Sequence, residues 1–227
     1  MLLLSAGERE EAQARRFSFS DEFRSDLDTV LSQYPDGAHL RLNLCSFKRG
    51  PQAPRIHDAA GFEAVLARQN YRVYSVLKAT VDRELDIQLF AFPWRDIPPW
   101  SEFRIFIRDR RVIGISQYHH QTSFPEISAG ERAIKASLSD FCRDLLDALH
   151  LGSVVADVFV ERQENDRFRT TLIELNPFIQ RTDPCLYTWK NGGDFDGGFR
   201  YREPRDLPRA VQFGRQQMID DPWQLPS

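Results

Sequence analysis

The chain has 227 residues and a formal net charge of −3, with 41% apolar and 28% charged residues. That length supports one large domain or two small lobes, and the composition is that of an ordinary globular protein. The charge argues against bulk binding to nucleic acid or anionic membranes, and no apolar run approaches the roughly 20 residues that span a bilayer. The opening MLLL is followed by Glu8, Glu10 and Glu11, which makes it a poor signal peptide. Three scattered cysteines, Cys45, Cys142 and Cys185, form no CxxC pair and suggest neither a disulfide framework nor a zinc site. The expectation is a cytoplasmic protein.

Residues 1–19 are polar and read as loose. Ser20 is a good N-cap for a helix carrying Phe23, Leu27, Val30 and Leu31 on one face. The turn Tyr34-Pro-Asp-Gly ends it. HLRLNLC, residues 39–45, alternates as a strand, and a basic, Pro-rich loop follows. Asp58 caps a short helix with Phe62, Val65 and Leu66. Strands are expected near 72–78 and 85–92, and FPWRDIPPW reads as a stiff connector. Residues 102–108 and 111–118 predict a hairpin around Asp109-Arg110. Ser128 with Glu131 has the spacing of a capping box. It opens a helix with Ile134, Leu138, Phe141, Leu145 and Leu149 on one stripe, where Cys142 reads as a packed side chain. A second hairpin spans 153–175. The Gly-rich stretch NGGDFDGGF lacks the Lys-Ser/Thr of a phosphate-binding loop and reads as a mobile loop. Antiparallel hairpins with separate helices make the fold class α+β.

Within TLIELNPF, residues 171–178, Glu174 and Asn176 are two apart and share a strand face. If Asn165-Asp166 forms a two-residue turn, Glu164 faces Arg167 and Asp157 lies opposite Glu174. Opposed carboxylates repel at that spacing unless a cation lies between them. Two carboxylates and an amide oxygen are hard ligands suited to Mg²⁺, which makes Asp157, Glu174 and Asn176 a candidate metal set. The competing reading is a solvated hairpin face with an Asn-Pro turn. A register slip of one residue would turn Asp157 to the other face.

Longer matches carry a resemblance. SEFRIFIRDRRVIGISQ (101–117), DVFVERQENDRFRTTLIELNPF (157–178) and the run from Thr182-Asp183 through Leu186, Tyr187 and Trp189 resemble segments of the cell division cycle protein 123 family. HLRLNLCSFKR resembles another segment more weakly. The resemblance implies an ATP-grasp-like fold, with two α+β lobes, ATP in the cleft between them and Mg²⁺ on its phosphates. The implied division is a flexible terminus 1–19, an N-terminal lobe 20–94, a C-terminal lobe 95–190 with the metal site, and a loop-rich segment 191–227. By position the family's metal ligands fall on Asp157, Glu174 and Asn176, with Glu174 standing where the family usually has Asp.

The resemblance also assigns phosphate contacts to Arg41, Lys48 and Arg104, with Glu102 as a partner of Arg104 or a ribose contact. It assigns the adenine hinge to Phe92, Pro93, Trp94 and Arg95, although Phe92 and Pro93 replace basic residues of the family. After GISQ the family tends to have Arg and then an acid, whereas this chain has Tyr118, His119 and His120; the two histidines read as rim residues, not metal ligands. Two functions follow. The first is a nucleotide-dependent assembly chaperone, whose eukaryotic relatives act on translation initiation factor 2 through its gamma subunit. The second is an ATP-dependent carboxylate–amine ligase acting through an acyl phosphate, with no catalytic residue identified.

Overall fold

The computed structural model describes residues 2–3, 19–43, 47, 54–67, 71–164 and 167–203. Lys48, Leu44, Cys45, the Asn165-Asp166 turn, most of 1–19 and all of 204–227 lie outside the described residues. The chain divides into two compact units, Met1–Asp96 and Ile97–Ser227.

The first unit packs three helices on a small sheet. Helix α1 (Asp21–Leu31) starts where Ser20 accepts a hydrogen bond from the Phe23 N–H, and it buries Phe23, Leu27 and Leu31. Helix α2 (Ala59–Ala67) is capped by Asp58, whose Oδ1 accepts from the Gly61 N–H at 2.6 Å. Strands β1 (Leu2–Leu3), β2 (Ala38–Leu42) and β3 (Gln88–Pro93) form an antiparallel sheet in the order β1-β3-β2. The strand expected near 72–78 is instead part of helix α3 (Tyr71–Val81). Its buried residues Val73, Leu77 and Thr80 are spaced four and three apart, the period of one helix face. Packing of that stripe against the unit's core overrides the β preference of Val and Tyr.

The second unit is a five-stranded sheet, ordered β7-β6-β4-β5-β8. Strands β4 (Glu102–Arg108) and β5 (Arg111–Gln117) form the expected hairpin, and Asp109 and Arg110 have φ of 52° and 59°, the left-handed pair of a tight hairpin turn. Strand β6 (Val154–Arg162) pairs with β4 and with β7 (Phe168–Asn176), and the short β8 (Phe199–Arg200) runs parallel to β5. Helix α4 (Pro125–Ala148) covers one face through Ile127, Ile134, Leu138, Cys142 and Leu146. It begins three residues before the expected capping box. Phe124 is the N-cap and Pro125 occupies the first turn, where its missing N–H costs nothing. Ser128 is therefore inside the helix, and Glu131 accepts from the Tyr201 hydroxyl at 3.1 Å.

The opposite sheet face is covered by the segment between β7 and β8. Phe106 and Val155 pack there with Tyr187, flanked by Phe178, Trp189 and Phe195. The Gly-rich stretch, expected to be a mobile loop, is thus a packed element. The Phe195 ring centroid lies 4.9 Å from that of Phe106 and 5.0 Å from that of Tyr187. Arg200 binds Asp194 and Asp196 at 2.8 and 3.0 Å and stacks 3.9 Å over the Tyr187 ring. Gly193, at φ 95°, has the Phe195 ring 2.6 Å from where a Cβ would stand.

Gly114 has the same role under Tyr187, whose ring carbon would be 2.6 Å from a Cβ. Gly114→Ala is expected to destabilise the second unit by about 1–3 kcal/mol, as overpacking does. The check is a lowered urea midpoint in tryptophan fluorescence, and an unchanged midpoint would contradict this packing.

Candidate metal and nucleotide site

The register of β6 and β7 decides what the site can be. Near the hairpin end, Arg162 pairs with Phe168 and Val160 with Thr170, and the Gln163 N–H donates to the Arg167 carbonyl at 2.7 Å. The loop therefore contains three residues, 164–166, not the expected two, and Glu164 does not face Arg167. That shift alone would have sent Glu174 toward α4. A β-bulge between Asp157 and Val158 reverses it: Val158 pairs with Leu172, Asp157 with Glu174, and Ile173 is the extra residue. One added residue in the loop and one in the strand cancel, so the expected Asp157–Glu174 pairing is recovered.

That pairing belongs to a row across all five strands. Arg200 pairs with Ser116, Ser116 with Arg104, Arg104 with Asp157 and Asp157 with Glu174. Paired residues share a sheet face, so this polar row lies on the face away from α4. Asn176, two residues beyond Glu174, stands on the same face diagonally from Asp157.

At the centre, Arg104 donates through Nε to Asp157 Oδ1 at 2.7 Å and through Nη2 to Oδ2 at 2.8 Å. Arg104 is 5% exposed and Asp157 1%. A third guanidinium bond, from Nη1, goes to the Asp183 carbonyl at 2.8 Å, and the Tyr118 ring lies 4.8 Å from the guanidinium carbon. Asn176 Nδ2 donates to Asp157 Oδ2 at 2.9 Å. Burial works against the Arg104 charge, but the hydrogen bonds and charge of Asp157 outweigh it and raise its pKa above the ordinary guanidinium value. Tyr118 is pushed up to about 12, first by burial and then by the Asp157 charge. Glu102 is buried, with its Oε1 3.3 Å from His119 Nε2.

The donor set fits a hard dication. Two carboxylates and an amide carbonyl on one face supply oxygen ligands only. Asp157 Oδ1 accepts from Arg104 Nε, and Oδ2 accepts from both Arg104 Nη2 and Asn176 Nδ2, so a cation held here would take the place of the Asn176 hydrogen bond, with the amide turned to present its oxygen. Glu174 is half-buried at the edge strand, so the side of the set away from Arg104 is the approachable one.

The first unit holds the other expected residues. Arg41 pairs with Phe90 and His39 with Phe92, which puts these four on the sheet face opposite the buried Leu40 and Leu42. Phe90 and Phe92 are 38% and 46% exposed. Among the described residues β1 pairs only with Gln88 and Leu89, so Phe90–Pro93 has a ladder partner on one side alone. Trp94 is half-buried beneath Arg55, 5.6 Å from its ring, and its N–H donates to the Gly37 carbonyl at 3.0 Å. Arg95 is exposed. Sequence reasoning missed the Asp183 carbonyl and Tyr118 as neighbours of Arg104. No local pattern marks either, because both reach the guanidinium through loops.

The family model described as D123 matches residues 66–196. The chain belongs to the D123 family. Among D123 relatives it is 31% identical over 117 residues to the translation initiation factor eIF2 assembly protein of Candida albicans, covering 49% of this chain and 32% of that protein. It is 27% identical over 189 residues to the cell division cycle protein 123 of Eremothecium gossypii, covering 72% of this chain and 52% of that one. The chain thus spans about half or less of the length of these relatives. The solved structure of Cdc123 from Schizosaccharomyces pombe shares the fold, with a TM-score of 0.65, 17% identity and coverage of 83% of this chain and 81% of that one.

Arg104→Met would leave the Asp157 carboxylate buried without its counter-charge. The expected cost is about 3–5 kcal/mol, read as a fall in thermal midpoint. Arg104→Met combined with Asp157→Leu should recover much of it, and a double variant as unstable as the single one would contradict the pairing.

Proposed function

We propose that this chain is an ATP- and Mg²⁺-binding assembly factor with ATP-grasp-like lobes, which uses the bound nucleotide to set the shape of a surface for a protein partner of the translation initiation factor 2 kind. The observation that carries the proposal is the gathering of Asp157, Glu174 and Asn176 on one sheet face, with Arg104 holding the first of them. The names of the D123 relatives, eIF2 assembly proteins, support the partner class.

In this reading Asp157, Glu174 and Asn176 hold the metal, which when bound neutralises phosphate charge. Arg104 acts as a positioning residue, because its guanidinium is committed to Asp157 and the Asp183 carbonyl. It holds the carboxylate in place through two hydrogen bonds, and Glu174 adds the second negative charge of the set. Glu102 is the candidate ribose contact. The family resemblance further assigns Arg41 and Lys48 to phosphate contacts. It assigns Phe92, Pro93, Trp94 and Arg95 to the base, where a strand with one open side offers N–H and C=O groups.

Calorimetric titration with ATP, with and without Mg²⁺, on the wild type and Glu174→Ala tests the metal set. Binding is expected to require Mg²⁺ and to weaken at least tenfold in the variant. Metal-independent binding, or equal affinities in the two proteins, would overturn the assignment.

A further inference from the structure

His119 and His120 are adjacent in sequence and diverge in space. His119 turns to Glu102, at 3.3 Å. His120 turns to the loop after β7, where its ring, the Asp183 carboxylate and the Cys185 thiol place ligand atoms within 4.8 Å of one another. His120 lies more than sixty positions before Asp183 and Cys185, which are themselves two apart. The geometry points to a second metal site in this chain: His120, Asp183 and Cys185 bind a borderline-soft dication of the zinc class through one nitrogen, one oxygen and one sulfur.

The donor chemistry separates this site from the Asp157 set. A thiolate and an imidazole select zinc-class ions over Mg²⁺, which takes oxygen ligands. Around tetrahedral zinc, bonds of about 2.0–2.3 Å place ligand atoms roughly 3.3–3.8 Å apart, so an adjustment of about an ångström closes the present arrangement. Three protein ligands leave one position for water or another ligand.

The surroundings hold the ligands in place. His120 Nδ1 lies 3.2 Å from the Tyr118 carbonyl; with Nδ1 as the donor, Nε2 is the unprotonated nitrogen, the usual outer-shell arrangement of a metal-binding histidine. The His120 carbonyl accepts from Arg202 Nε at 2.8 Å. Arg104 Nη1 fixes the Asp183 carbonyl, and the Cys185 N–H donates to Asp183 Oδ1 at 2.8 Å. Cys185 is also held at φ 54°, a left-handed conformation that sets the direction of its side chain. The nearby Arg104 charge is balanced by Asp157, so the carboxylate and thiolate are left to offset the dication. Binding replaces the Cys185 S–H proton by the metal and releases that proton to solvent.

The test uses Co²⁺ as a spectroscopic probe and Zn²⁺ in competition with a chromogenic chelator, on the full chain. One equivalent of Co²⁺ is expected to give a thiolate-to-cobalt charge-transfer band in the near ultraviolet. Cys185→Ser should abolish the band, and both Cys185→Ser and His120→Gln should weaken Zn²⁺ binding at least tenfold while keeping the wild-type metal-free thermal midpoint. Glu174→Gln, which alters the proposed Mg²⁺ set, should keep the cobalt band, so the two sites fail independently. Absence of a charge-transfer band in the wild type, or equal Zn²⁺ affinity in the wild type and both loop variants, would overturn the second site.

Discussion

The buried pair of Arg104 and Asp157 is the constraint on which the second unit is organised. Two opposite charges lie on neighbouring central strands with almost no solvent contact. Removing them from water is costly, and only a two-pronged hydrogen-bond geometry with further partners makes the arrangement tolerable. Those partners come from separate parts of the chain. Asn176 reaches across from the edge strand, the Asp183 carbonyl from the following loop, and Tyr118 from the end of β5. Satisfying one ion pair thus draws together the segments that carry both proposed metal sets.

The segment after β7 matters for the same reason. The segment between β7 and β8 places an aromatic layer of Tyr187, Trp189 and Phe195 against Phe106 and so closes the sheet face beside the polar row. The result is a face with two chemistries. A dry aromatic half fixes the loop, and a polar half holds the charges. Burial on one side lowers the local dielectric and strengthens the electrostatics of the other.

Much of this was legible in the sequence because it rests on short-range periodicity. The hairpin at Asp109-Arg110, the helix capped by Ser20 and the pairing of Asp157 with Glu174 all follow from alternation or capping chemistry. A two-residue turn predicts this pairing, whereas the chain reaches it by another register. The three-residue loop and the bulge at Ile173 shift the register in opposite directions, and neither leaves a mark in residue type. Helix α3 departs from the expected strand because Val73 and Val76 favour strands in isolation, while the Val73–Leu77 spacing, which favours a helix, takes effect only through burial. Phe195 was hidden in a glycine-rich stretch whose composition suggests mobility. Its order comes from Arg200 and Tyr187, contacts that sequence spacing does not announce. The His120–Asp183–Cys185 grouping was invisible for the same reason.

The central claim is that Asp157, Glu174 and Asn176 form one metal set beside a nucleotide. A crystal structure of the chain with ATP and Mn²⁺ in place of Mg²⁺ tests it most directly, because manganese scatters anomalously and marks its own position. The account expects an anomalous peak at bonding distance from oxygens of all three side chains, with Arg104 still paired to Asp157. A peak bonded to other residues, or to the nucleotide alone, would contradict it.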